Sequence, residues 1–190
     1  MTEPTTFPSV TSLIRFDHTH VVALFHRFKR GTSLARRQAI GENVCLALEI
    51  HAQLEEEIFY PALRSVSGME GLLDKSAADH DEVRRLISAL RAAAPADATY
   101  DSAFRELLRA VLHHVADEET LVLPAAEERL EADLGRLGRQ FAKRKLELLR
   151  PHAAEVARTT IFSFPLASAA LAVGMLGLGL WVRQRSGRAV

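Results

Sequence analysis

Along residues 10–150, apolar side chains recur every three or four positions, the spacing of one face of an α-helix, with no alternating strand-like run. The first stripe is Val10, Ile14, His18, Val21, Phe25 and Phe28, and Gly31-Thr32-Ser33 closes that helix and opens the next. The second stripe is Ile40, Val44, Ala47, His51, Leu54, Glu55 and Ile58. Pro61 should kink or finish this helix, because a proline there leaves the Glu57 carbonyl without a donor. Gly68 and Gly71 mark a turn, after which the third stripe runs Leu73, Ser76, His80, Val83, Ile87 and Leu90. A break at Ala93-Ala94-Pro95-Ala96-Asp97 precedes the fourth: Phe104, Leu107, Val111, His114, Glu118, Leu121 and Ala125, with Pro124 echoing Pro61. Four amphipathic helices on short links predict an all-α fold, an antiparallel up-down four-helix bundle. Leu134 to Leu149 adds a basic amphipathic helix carrying Arg136, Arg139, Lys143, Arg144 and Lys145. It either caps the bundle, lies near a membrane surface, or packs on the bundle with its bases in solvent.

The polar residues that interrupt these faces carry the chemistry. His18, His51, His80 and His114 each occupy a core position on a different helix, and Glu55 and Glu118 lie one turn beyond two of them. A single core histidine is ordinarily just a hydrogen-bonded side chain. A buried carboxylate costs several kcal/mol unless it is paired or bound to a cation. No Lys or Arg sits on the inner stripes near Glu55 or Glu118 to neutralise them, so a divalent metal, or a pair bridged by the two Glu, is the simplest resolution. The arrangement also repeats. His51-x-x-x-Glu55 with Pro61 returns 63 residues later as His114-x-x-x-Glu118 with Pro124, and each copy follows a helix bearing one histidine, His18 or His80. Folded with approximate two-fold symmetry, the halves bring four His and two Glu to one centre. His20, His26, His113 and His152 point elsewhere and read as surface or packing residues, His26 lying nearest to the site's side of its helix. Asp17 and Asp79 precede a histidine and so face away from it; a neighbouring base is the expected partner.

The combination of Asp17-His18, His51-x-x-x-Glu55 with Tyr60-Pro61, Asp79-His80, and His114-x-x-x-Glu118 with Pro124 resembles the hemerythrin-like, HHE cation-binding domain family over about residues 10–150. The Leu137-Gly138 and Arg144-Lys145 region resembles that family's helix after the bundle. The resemblance implies a non-haem di-iron centre, oxo- or hydroxo-bridged, with manganese or zinc as alternative metals. It implies His18, His51, His80 and His114 as terminal ligands, and Glu55 and Glu118 as bridges. The pattern departs from the oxygen-carrying hemerythrins twice. Ser76 stands where they have a fifth histidine, and Glu118 follows His114 by four residues where they have an Asp at five. Both departures point to a more open coordination sphere, for water, dioxygen, nitric oxide or peroxide, rather than to oxygen carriage.

Composition narrows the setting. The 190 residues balance 24 basic against 24 acidic, so no overall field favours nucleic acid. The single Cys45 cannot form an internal disulfide and reads as an apolar filler in a reducing compartment. Residues 1–9 lack a signal-peptide pattern and are expected to be disordered. Residues 161–182 are uncharged and would span about 33 Å as a helix, enough to cross a bilayer. A linker at 151–160 leads into this span and a short basic tail, 183–190, follows it. The bundle is then expected on the cytoplasmic side, although Arg183, Arg185 and Arg188 oppose that topology. Ala170, Gly174 and Gly177 offer a surface for a homodimer through the span. The leading expectation is a membrane-anchored di-iron protein that handles or senses oxygen, nitric oxide or peroxide, or buffers iron. The competing expectation is a metal-dependent signalling or interaction module without turnover.

Overall fold

The computed structural model describes residues 7–154 except 30 and 67, and among these every regular element is helical. Helix α1 (Val10–Phe25) starts where Ser9 caps it, its hydroxyl accepting the Ser12 N–H at 3.1 Å. Then come α2 (Leu34–Leu54), α3 (Tyr60–Arg64), α4 (Glu70–Ala92), α5 (Ala98–Asp117), α6 (Leu123–Arg129) and α7 (Leu134–Leu149). Short connections pack α1 against α2 and α4 against α5, and α2 meets α4 to join the halves. This is the four-helix bundle the periodicity predicts. Helix α1 ends three residues before Phe28, yet the Phe28 ring still stacks on Phe104 with centroids 4.1 Å apart. Gly31 supplies a left-handed turn residue (φ 82°) between α1 and α2.

Neither proline behaves as expected. The backbone runs from α2 into α3 through a π-helical turn, Glu55–Phe59, and from α5 into α6 through another, Glu118–Val122. In each, a wide i→i−5 hydrogen bond closes the turn: Tyr60 N–H to the Glu55 carbonyl, and Leu123 N–H to the Glu118 carbonyl. Pro61 and Pro124 enter the first turn of the helix that follows, where no amide donor is required. A π turn holds one residue more than an α turn, so the inward face advances by one position after each. Phe59 is fully buried where Ile58 was expected, and Val122 and Ala126 replace Leu121 and Ala125 inside. Leu121 is 47% exposed.

Helix α7 packs along α1 and α2, with Leu137, Gly138 and Phe141 buried. Gly138 makes this fit possible, since a Cβ there would lie 2.3 Å from the Pro8 carbonyl oxygen. Pro8 and Ser9, expected to belong to a disordered start, therefore form part of the packed surface. Of the three roles open to α7, packing on the bundle is the one seen. The apolar run 161–182, its linker from residue 155 and the tail 183–190 lie outside the described residues. Among those described, no helix is long and apolar enough to cross a membrane.

Two apolar clusters divide the bundle. One gathers Ile14, Leu54, Phe59, Leu63, Leu123 and Phe141, and the other Leu24, Ile40, Val44, Leu90, Phe104 and Leu107. Cys45 is buried in the second. The six polar residues of the inner stripes lie between these two walls.

Candidate metal centre

His18 comes from α1, His51 from α2, His80 from α4 and His114 from α5; Glu55 and Glu118 open the two π turns. All six are buried, the two carboxylates completely. The imidazoles fall into two pairs, one from each half of the chain. The ring centroids of His18 and His51 are 4.9 Å apart, and those of His80 and His114 are 4.6 Å apart. Between the pairs the separation is 6.4–6.5 Å. Each histidine turns Nε2 inward. His18 Nε2 is 3.1 Å from Glu118, and His51 and His80 Nε2 are each 3.3 Å from Glu55. His114 Nε2 lies 3.7 Å from Glu118. One set of possible ligand atoms, from His18, His51, His114 and Glu118, falls within 4.8 Å of one another, and a second set comes from Glu55, His80 and His114.

The outward Nδ1 atoms have carboxylate neighbours too, and this shell was only partly legible beforehand. His18 Nδ1 lies 2.8 Å from Glu119, and His80 Nδ1 lies 2.9 Å from Glu56. Asp17 sits 3.9 Å from His51 Nδ1, and Asp79 sits 4.0 Å from His114 Nδ1. Each carboxylate therefore faces a histidine of a different helix. Behind each stands a base: Arg15 with Glu119, Lys145 with Asp17, Arg84 with Glu56 and Lys75 with Asp79. The expectation of basic partners for Asp17 and Asp79 holds, but both also face the ligand-bearing helix next to them. Glu56 and Glu119 were not singled out from sequence. Their signal was their position directly after Glu55 and Glu118, at the head of a turn whose widening no periodicity announces.

Tyr60 completes the interior. Its hydroxyl lies 3.3 Å from Glu55 and 3.2 Å from Glu118, within donating distance of both, and its ring stacks on His80. Ser76, at the position of the fifth histidine of oxygen carriers, is buried and acts on the Tyr60 phenol. The remaining histidines lie apart. His20, His26 and His113 are exposed, His26 hydrogen-bonded to the Val22 carbonyl of its own helix. His152 follows α7 and is half-buried.

Electrostatics in this dry interior are divided unequally. Burial, and then the neighbouring Glu118, push the Glu55 carboxyl well above the usual range, so it holds a proton. Burial also acts on Glu118, but the neighbouring His18 overcomes it and holds Glu118 below the usual carboxylate range. Burial drives His114 down to about 3, whereas Glu118 beside His18 outweighs burial there and lifts it to about 9.

The donor set fits a metal. His51 Nε2 and Glu55 Oε1 are buried polar atoms without a hydrogen-bond partner, and His18 Nε2 and Glu118 Oε2 meet each other only as an ion pair at 3.1 Å. Orphaned groups of this kind are rare, each costing about 1–3 kcal/mol. Four imidazoles and two carboxylates suit iron, manganese or zinc.

Comparison with known proteins agrees with this geometry. The family described as the hemerythrin HHE cation binding domain matches residues 9–126. Among solved structures, a hemerythrin HHE cation binding domain-containing protein from Mycobacterium kansasii superposes with a TM-score of 0.66. The match covers 84% of this chain and 96% of that one at 20% identity, a likeness of fold. A DNA nickase from Nostoc sp. (strain PCC 7120 / SAG 25.82 / UTEX 2576) is 28% identical over 125 residues. That stretch is 66% of this chain and 35% of the relative, so the chain spans about a third of that protein's length.

Proposed function

The chain belongs to the hemerythrin HHE cation-binding domain family, and from that premise we propose that it is a non-haem di-iron protein that binds or senses a small oxidant or gas. The observation that carries this reading is the convergence of four Nε2 atoms and two fully buried carboxylates between apolar walls. His18, His51, His80 and His114, together with Glu55 and Glu118, would hold the iron. Bound there, iron supplies a redox-active Lewis acid able to take oxygen, nitric oxide or peroxide as a ligand.

The protein's own groups set how such a centre behaves. Glu119 behind His18 and Glu56 behind His80, at hydrogen-bond distance from Nδ1, favour the tautomer that keeps the Nε2 lone pair inward. Tyr60 offers its hydroxyl proton to the two buried carboxylates and so restrains their rotation. Val21, Leu48, Val111 and Val115 wall a cavity of about 10 Å³ beside His18, His51 and His114. That is room for about one water-sized molecule, which restricts ligands to the smallest. Loading metal must expel the protons held by Glu55 and His18, so affinity falls as the pH is lowered.

Residues 161–182 anchor the bundle to a membrane in this proposal, on the strength of their uncharged length alone. The nucleic-acid chemistry in the name of the Nostoc relative is not extended to this chain, whose balanced charge provides no field for a polyanion. Protein expressed with added iron should carry about two irons per chain, sediment with membranes, and change its optical spectrum with oxygen, nitric oxide or peroxide. Uptake of zinc alone, or of no metal, would overturn the reading. Steady-state turnover of peroxide or nitric oxide would distinguish an enzyme from a sensor or store.

A further inference from the structure

Of the four carboxylates that stand behind the imidazoles, Asp17 differs from the rest. Its side chain is 7% exposed, against 25% for Asp79, 34% for Glu56 and 30% for Glu119. The other three have their bases on nearby bundle helices: Lys75 is one turn from Asp79 on α4, Arg84 is also on α4, and Arg15 is on α1. The base of Asp17 is Lys145, which comes from α7, after the bundle residues 9–126 that match the family and within the stretch that resembles the family's following helix. Asp17 uses its two oxygens separately, Oδ1 for the Lys145 ammonium and Oδ2 facing His51 Nδ1 across 3.9 Å, an electrostatic contact longer than a hydrogen bond. A carboxylate this deeply buried is costly without its cation, whereas the more exposed three can draw on water.

We propose that Lys145 is a positioning residue of the metal centre, acting through Asp17 on His51, and that α7 is thereby a working part of the site. The inference rests on the metal-binding reading above and adds a specific coupling to it. With Lys145 in place, Asp17 stays directed at Nδ1, which holds His51 Nε2 inward. Without it, Asp17 turns towards solvent, and one ligand loses its orientation. The coupling is reciprocal: whatever fixes His51 through its Nε2 also fixes Asp17, and with it the docking of α7. A second contact reinforces the docking, since Arg144 binds Glu57 in the first π turn at 2.7 Å. Among the described residues the second half of the repeat has no matching helix, so α7 acts on the His18–His51 pair.

The test compares Lys145→Met, Lys145→Arg and the exposed Lys143→Met in the full chain. Iron retention is measured against a competing chelator, and hydrogen exchange of α7 amides is followed with and without iron. Leu137, Gly138 and Phe141 should keep α7 folded in all three, which the exchange data check directly. Lys145→Met should weaken iron retention about tenfold, the scale for losing an outer-shell partner, and abolish the iron-dependent protection of α7. Lys145→Arg should restore most of both, and Lys143→Met should behave as wild type. Wild-type retention in Lys145→Met, or equal α7 protection with and without iron in the wild type, would refute the coupling while leaving metal binding intact. A wild-type chain that takes up no iron would instead overturn the metal reading, and this inference with it.

Discussion

At the scale of single residues, a histidine here is defined by what each of its two nitrogens meets. His18, His51, His80 and His114 all have Nε2 among Glu55 and Glu118 and Nδ1 beside an outer carboxylate. His113, adjacent in sequence to His114, has neither; its closest acidic neighbour is Asp117 at 3.7 Å on the surface. A helix advances about 100° per residue, and that rotation alone separates a candidate ligand from a solvent-facing side chain. His51→Ala and Glu118→Ala should therefore strip most of the iron, while His113→Ala should leave iron content near that of wild type. Metal analysis of the three purified variants checks this, and similar losses in all three would disprove the assignment of faces. The ligand types and their faces could be read from the chain because burying Glu55 and Glu118 demands a cation. The outer carboxylates could not, because which helix Glu56 or Glu119 faces depends on how helices lie against one another.

At the scale of elements, the two π turns decide which residues are inside. Periodicity counted at 3.6 residues per turn places Leu121 in the core, but the extra residue of Glu118–Val122 moves it out and brings Val122 and Leu123 in. Leu121→Ala should consequently change stability by less than about 0.5 kcal/mol, while Leu123→Ala should cost about 2–5 kcal/mol. Chemical denaturation of both variants checks the order, and a reversal would mean that α5 continues unbroken. Both π turns begin at a glutamate of the centre. Glu55 and Glu118 reach inward while Glu56 and Glu119, one residue on, reach histidines of neighbouring helices.

At the scale of the whole molecule, the bundle stores a polar site between two apolar clusters, and that arrangement makes the metal-free protein sensitive to pH. Burial holds His114 at about 3, so below about 6.5 the unfolded chain binds a proton that the folded chain refuses, and stability falls as pH drops. His18, held at about 9 by Glu118 against the effect of burial, acts in the opposite direction. Its contribution is complete below about 6.5 and is lost as the pH rises through about 9. The melting temperature of metal-free protein should thus peak at about pH 6.5, where the two effects meet, and decline on both sides. Calorimetry across pH 5 to 10, as a rough range spanning both groups, checks the shape. A melting temperature that stays level below neutrality would contradict the burial of a neutral His114.

The chain by itself determined that four amphipathic helices form, that four His and two Glu interrupt their inner faces in a repeated order, and that 161–182 carries no charge. These are local properties, set by spacing along a helix and by the cost of burying a charge. Tertiary structure decided the remainder. It widened two turns so that Pro61 and Pro124 fit within continuous helical segments, and it set Glu56, Glu119, Asp17 and Asp79 against histidines of other helices. It also laid α7 on the bundle so that Lys145 meets Asp17. Each of these depends on the rotation and separation of packed helices, which side chains from distant parts of the chain settle together and no single stripe encodes.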